Sequence, residues 1–254
     1  MIFISFAGCL VFKAYFWSLQ NDSMSDFNLV DNPDSFSKIW KNFECLSADE
    51  LKLLDENKYE ATFKPGEIII KQGSPASSAL FLTSGKAKIY IEGNKGKNFI
   101  LRIALPGQLI LGPGAYTNLR HTFSVAAITT LQACFISFDV FRILMKSNSD
   151  FSEFLLEDLS LKAISAHERM VSQAQKRMPG RLADALLYFA DEVFFSDEYE
   201  MILSRQEMGE MTNMAKECVV RILKELEDIG VIYSDTSQIK ILDRERLVQI
   251  SERG

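Results

Sequence analysis

Residues 204–232, SRQEMGEMTNMAKECVVRILKELEDIGVI, read as two short helices joined by a polar break. Ser204 with Glu207 three residues later is a capping box that starts the first helix, since each can satisfy a backbone N–H the helix leaves open. Thr212 and Asn213 supply the turn. The second helix is expected over residues 215–229, with Gly230 as its left-handed C-terminal cap. Val219, Ile222, Leu223, Leu226 and Ile229 line one face of that helix, and Lys216, Glu217, Val220, Arg221 and Lys224 line the other. The acids Glu225, Glu227 and Asp228 gather at the C-terminal end. The bases sit toward the N-terminal half, the part of a recognition helix that meets base edges. A glutamate there can accept from cytosine N4, and an arginine one turn later can grip guanine O6 and N7. The free amides at the start of the first helix, beside Ser204, Arg205 and Gln206, suit a phosphate.

Downstream, VIYSD and IKIL are joined by TSQ as a hairpin, and upstream RLADALLYFADEVF reads as one helix. Helix, helix-turn-helix and hairpin is the order of a winged-helix unit, placed at residues 179–254. Before it, Phe151, Leu155, Leu159, Ala163, Ala166, Met170 and Ala174 recur every three or four residues through a long helix, residues 149–178. A single narrow stripe of that kind either packs along its own barrel or pairs with a second copy, and pairing would make these residues the dimer interface. Pro179-Gly180 is expected to end this helix and form a hinge, because proline lacks the amide and clashes with the preceding turn.

Between residues 59 and 138 the texture is different. Short β-type runs (ATF, EIIIKQG, LFLTSG, KIYIEG, FILRIAL, FSVAAI, ACFISF) alternate with glycine turns, and EGNKGKN reads as a hairpin tip. Short, evenly spaced strands predict a sandwich or barrel. With flanking helices, including a capping box at Ser47 and Glu50, this forms a domain over residues 35–148. The fold expected is α+β: a β-barrel domain, a long dimerisation helix and a C-terminal winged helix-turn-helix. Residues 1–34 form an N-terminal extension. Its apolar run is interrupted by Lys13 and is marginal as a spanning helix, leaving a membrane tether as the minor reading; Met24 opens a polar segment that resembles a natural start, so residues 1–23 are expected to lie upstream of the native protein. No membrane association is expected.

The formal net charge of -6 argues against coating nucleic acid by bulk electrostatics, leaving local patches to do any binding. Cys9, Cys45, Cys134 and Cys218 have no metal-like spacing, which points to a reducing cytoplasm and to buried, hydrophobe-like thiols. With only His121 and His167 there is no metal site to expect, and a cupin-type enzyme on the barrel is excluded by its need for several histidines. Neither a G-x-S-x-G elbow nor a P-loop motif is present. No enzymatic activity is expected.

The opening stretch resembles the DNA-binding signature of the Crp/Fnr family of bacterial transcription regulators, with its R-Q-E-I/M-G, a short turn, R-E-x-x-x-R and a following I-L-x-x-L-E-x-x-G. FKPGEIIIKQGSPASSALFLTSGKAKIYI is similar to the start of that family's cyclic-nucleotide-binding-type barrel, a double-stranded β-helix, and the match runs from about Ser35 to Ile250. The resemblance implies a homodimer that reads a pseudo-palindromic site on double-stranded DNA. Lys216, Glu217 and Arg221 would read bases, Ser204, Arg205 and Gln206 would hold phosphates, and RNA polymerase would be a partner. Lys216 stands where the family usually has arginine and offers a point charge in place of a fork.

In cAMP-binding members a glutamate and a later Arg-Ser pair hold the ribose and phosphate. In GQLILGPGAYTNLRHTFSV those positions fall on Gly112 and on His121-Thr122, or on Arg120 with a shift of one, so cAMP is not expected in the usual mode. Arg120, His121 and Thr122 remain candidates for another anion. The clustered N-terminal cysteines of iron–sulfur members are missing, so no cofactor is identified and the effector is unknown. The competing reading is a signalling module without DNA, whose barrel binds a small molecule and regulates a protein partner.

Overall fold

The computed structural model describes Phe43 and residues 45–254; the expectations for residues 1–34, and for short helices over 35–42, lie outside them. Ser47 caps helix α1 (Ala48–Glu56) with the full reciprocal box: the Ser47 hydroxyl accepts from the Glu50 amide, and the Glu50 carboxylate accepts from the Ser47 amide. Eight strands follow: β1 (Lys58–Phe63), β2 (Ile68–Ile70), β3 (Ser78–Ser84), β4 (Ala87–Glu92), β5 (Asn98–Ala104), β6 (Leu109–Ile110), β7 (Ser124–Ala127) and β8 (Leu131–Ser137). They form two antiparallel sheets, ordered β1-β8-β3-β6 and β2-β7-β4-β5. The stretch EGNKGKN is the β4–β5 connection, built on a single 3-10 turn at Asn94–Gly96. A further short helix, α2 (Gly114–Thr117), sits between β6 and β7.

Alternation along the strands explains where the cores lie. Leu80, Leu82, Ala133 and Phe135 point between the sheets, where they meet Ile89, Ala104 and Val125. Their neighbours Phe81, Cys134 and Ile136 point outward and are covered by α1, by α3 (Phe138–Ser147) and by the first turns of the long helix α4 (Ser149–Gln175). Both faces of that sheet are therefore apolar. Cys134 fills this core as a small hydrophobe, and burial pushes its thiol up to about 12.

The long helix stops at Gln175, before Pro179. Pro179 and Gly180 belong to the first turn of the next helix, α5 (Met178–Tyr188), which continues through a π turn at Phe189–Val193. The expected helix end is therefore corrected. A proline in a first turn has no intrahelical bond to lose, and its fixed φ favours helix entry there. The break falls at Lys176–Arg177.

The remaining elements are β9 (Glu198–Glu200), α6 (Arg205–Thr212), α7 (Lys216–Asp228), β10 (Ile232–Ser234), β11 (Gln238–Ile241) and α8 (Arg244–Arg253). The expected hairpin is present as β10 and β11, and β9 pairs with β11 as a third strand. This winged helix-turn-helix packs directly on the barrel. Tyr90, Ile100 and Ile103 on the outer side of β4 and β5 share one core with Leu186, Phe189, Met208 and Val219. The Tyr188 hydroxyl accepts from the Ile103 amide at 3.0 Å, and Lys88 Nζ reaches Glu207 at 2.6 Å.

That ion pair has a pH signature. Burial works against ionisation of Glu207, but the Lys88 ammonium and the Ser204 N–H and O–H overcome it and hold the carboxyl below its usual range. A depressed carboxyl contributes stability above its unfolded value, near ~4.3, and loses it as the pH falls through the folded one. Thermal unfolding from pH 6 down to pH 3 is expected to fall more steeply for the native protein than for Lys88→Met, and parallel curves would show that the pair contributes nothing to acid stability.

Candidate nucleic-acid interface

The helix-turn-helix has the caps its sequence promised. Ser204 Oγ accepts from the Glu207 amide at 3.2 Å, and Glu207 Oε2 accepts from the Ser204 amide at 2.8 Å. Asn213 takes the left-handed conformation at φ 53°, ending α6, and Gly230 does the same after α7 at φ 72°. Val219, Ile222, Leu223 and Leu226 are buried beneath α7. Ile229 is not: it is the C-cap and 45% exposed, because the apolar face ends with the last helical turn.

On the outer face, Lys216, Glu217, Val220, Arg221 and Lys224 are all exposed. Lys216 and Glu217 open the helix, and Arg221 stands just over one turn further on. Arg221 is bonded to Glu225 at 2.6 Å and Lys224 to Glu227 and Asp228 at 3.1 Å each. Solvent-screened pairs of this kind are weak, so the cations exchange them readily for a stronger acceptor. At the start of α6 the expected phosphate residues divide. Ser204 is occupied as the cap, and Gln206 is exposed and bonded to Glu210. Arg205 instead braces the wing against α6, its Nη2 donating to Ser234 Oγ at 3.2 Å and to Asp235 O at 2.7 Å.

The apolar stripe of α4 also divides. Phe151 and Leu155 are fully buried in the core of their own domain and are not available to a second copy. Leu159 is half-buried, while Ala163, Ala166, Met170 and Ala174 lie along the outer part of the helix, Met170 being 66% exposed. Most steps in the expected stripe are of four residues, and each four-residue step advances about 40° past a full turn, so the row winds from the inner face to the outer one. The exposed apolar ridge is instead Leu156, Ala163, Met170 and Ala174, flanked by Ile164 and Val171. Leu156 is 67% exposed.

The candidate effector residues form part of a loop zipped to the turn after β2. Arg120 Nη1 donates to Gly73 O at 2.7 Å, His121 exchanges backbone bonds with Ser74 and Gly73, and Ala76 donates to Leu119 O. Arg120 and Thr122 are exposed, and His121 is half-buried, which lowers its pKa. A side chain at Gly112 would begin 3.0 Å from the edge of the Phe123 ring, a tight contact that the ring would have to ease. Among the described residues no cluster of three or more His, Cys, Asp or Glu could hold a metal ion, and no helix is long and apolar enough to cross a membrane.

Two family models match the chain: the cyclic nucleotide-binding domain over residues 60–148 and the Crp-like helix-turn-helix domain over residues 180–250. Together they cover more than half of the 254 residues. The chain belongs to the Crp/Fnr family. The anaerobic regulatory protein of Pasteurella multocida is 24% identical over 212 residues, covering 81% of this chain and 77% of that one. The cAMP-activated global transcriptional regulator CRP of Salmonella typhimurium is 29% identical, over 65% of this chain and 80% of its own length. Among solved structures, FixK2 from Bradyrhizobium japonicum matches at 20% identity with a TM-score of 0.70, over 76% of this chain and 96% of that one.

For a Crp/Fnr chain, Gly209 in the R-Q-E-M-G motif has a specific steric reason. A Cβ there would lie 2.5 Å from the Met214 carbonyl oxygen, and the Gly209 carbonyl itself accepts from the Met214 amide at 3.0 Å. The turn closes onto the glycine. Gly209→Ala is expected to cost about 1–3 kcal/mol by overpacking, read as a lower midpoint in thermal unfolding. An unchanged midpoint would show that the turn relaxes freely.

Proposed function

We propose that this Crp/Fnr regulator acts as a homodimer that reads a two-fold symmetric site on double-stranded DNA, with a barrel that senses a small molecule other than cAMP in the usual mode. The observation that carries it is the outer face of α7, where Lys216, Glu217 and Arg221 stand exposed above a buried apolar face, behind a first helix with a full capping box. Arg221 is suited to guanine, Glu217 to cytosine N4, and the amides at the start of α6 to a phosphate. The exposed ridge of α4 supports pairing of two chains, which would set two copies of α7 about one helical turn of DNA apart. Gln206, exposed beside those amides, would join the phosphate contact by giving up its bond to Glu210, and Arg205 would support it indirectly through the wing.

Gly112 and His121-Thr122, standing where cAMP-binding members carry a glutamate and an Arg-Ser pair, support an effector held by groups other than the cAMP set. A transcriptional role brings RNA polymerase in as a partner, and the cytoplasm as the place of action. None of the relatives quoted above is named as an enzyme, and a role without catalysis is the reading adopted. The test is a salt series by fluorescence anisotropy on a selected duplex and on a random one. Log affinity is expected to fall linearly with log salt on both, with the selected duplex bound at least about 10³-fold more tightly. Equal affinity for the two duplexes at every salt would reject sequence reading.

A further inference from the structure

The inner side of α4 changes character along its length. Phe151 and Leu155 belong to an apolar core; beyond them two partly buried cations, Lys162 and Arg169, also turn toward the body of the protein. Lys162 Nζ donates to Leu109 O at 3.0 Å and pairs with Asp158 at 2.5 Å. Burial, with Arg102 close by, pulls Lys162 down to about 8 against the pull of Asp158. Arg169 lies seven residues further on, on the same face.

The partners of Arg169 come from two different domains. Its guanidinium donates to the carbonyls of Leu101 and, at 3.2 Å, Ile100, both on β5 of the barrel. It also donates at 3.2 Å to the carbonyl of Met211, in the last turn of α6. That carbonyl is one of the four a helix leaves open at its C-terminal end, where the macrodipole also favours a cation. The Phe99 ring lies 5.9 Å away. Among the described residues the hydrogen bonds of Arg169 go to these three carbonyls and not to a carboxylate. A planar fork with five donors can serve three acceptors at once; an ammonium on a flexible stem cannot hold the same geometry.

We propose that Arg169 is a positioning residue that fixes the orientation of the helix-turn-helix relative to the paired long helices. One side chain ties together the helix that carries the exposed apolar ridge, the edge strand of the sensor barrel, and the C-terminal end of α6 just before the turn into α7. The helix break at Lys176–Arg177 separates α4 from α5, which Ser172 and Lys176 hold through Asp184; the Arg169 bond to the Met211 carbonyl adds a tie that runs directly from α4 to α6 and so helps to set the angle between them. In a symmetric dimer that angle sets the distance between the two reading helices, and with it the half-site spacing. The inference rests on the DNA reading proposed above.

The test compares native protein, Arg169→Ala and Arg169→Lys on the selected duplex and on duplexes with the spacer lengthened or shortened by one base pair. Native protein is expected to lose about tenfold or more in affinity for each altered spacer, a loss like that of a mismatched base pair. Arg169→Ala is expected to bind all three spacers within about threefold, and Arg169→Lys to fall between. Retention of the native spacer discrimination in Arg169→Ala, whatever its absolute affinity, overturns the proposal. If Arg169→Ala fails to fold, Arg169→Lys decides in the same terms. Amide hydrogen exchange supplies a readout without DNA: faster exchange at residues 211–214 in the variants, with β3 and β8 unchanged, is expected, and unchanged exchange at 211–214 overturns the tie. Native protein that selects no duplex would reject the functional reading, while the exchange result still judges the contact.

Discussion

Arg221→Ala is expected to lower affinity for the selected symmetric duplex by about a hundredfold while affinity for random DNA stays within about threefold of the native value. A bidentate arginine–guanine contact discriminates by about tenfold or more, and two-fold symmetry applies the factor twice. The opposing term is the bond to Glu225 that Arg221 gives up. Both side chains of that pair are about half exposed, so water screens it and it competes poorly with a guanine edge. The side chain takes no part in the buried face of α7, which consists of Val219, Ile222, Leu223 and Leu226. The variant should therefore keep the native thermal midpoint, and its loss is one of reading and not of folding. Anisotropy on the two duplexes measures this. Equal losses on both would make Arg221 a phosphate contact.

Leu156→Glu combined with Met170→Glu is expected to convert the dimer to monomer. Each native side chain is about two-thirds exposed in the single chain. Fully burying a leucine or methionine is worth about 1.5–3 kcal/mol, so covering the exposed part of four such side chains, two from each protomer, recovers about 4–8 kcal/mol. Removing that term and placing four carboxylates at the seam weakens association by at least about 10³-fold. Since neither residue belongs to a described core cluster, the monomer should remain folded. Sedimentation should show one species of about half the native mass, with DNA affinity close to the random-duplex value. A double variant that sediments as the native protein does would move the dimer seam away from α4.

Much of this was legible in the sequence because several local signals agreed. Ser204 and Glu207 bracket a helix start, Asn213 marks the turn and Gly230 a left-handed cap, and Lys216 and Arg221 fall in the N-terminal half of α7. Nine of the eleven strands were visible, seven as β-type runs in the barrel and two as the hairpin of the wing. The sequence did not show β6, with two residues, or β9, with three, because runs that short carry no measurable period. The α4 stripe was misplaced for a related reason: a row of four-residue steps looks continuous in sequence yet drifts around the helix, so Phe151 and Leu155 face inward while Leu156 faces out. Pro179 marked the right neighbourhood but the wrong side of the break, since proline suits a helix start as well as a helix end. The bracing contacts of Arg205 and Arg169 escaped notice because their partners include backbone oxygens far away in the chain, and a carbonyl leaves no residue-type signal.

The most direct test of the central claim is selection of duplexes from a random pool with dialysed native protein, run beside Arg221→Ala. Enrichment of a two-fold symmetric site by the native protein, lost in the variant, is the predicted result. Enrichment of an asymmetric site, or of the same symmetric site by both proteins, would contradict a dimer that reads DNA through α7.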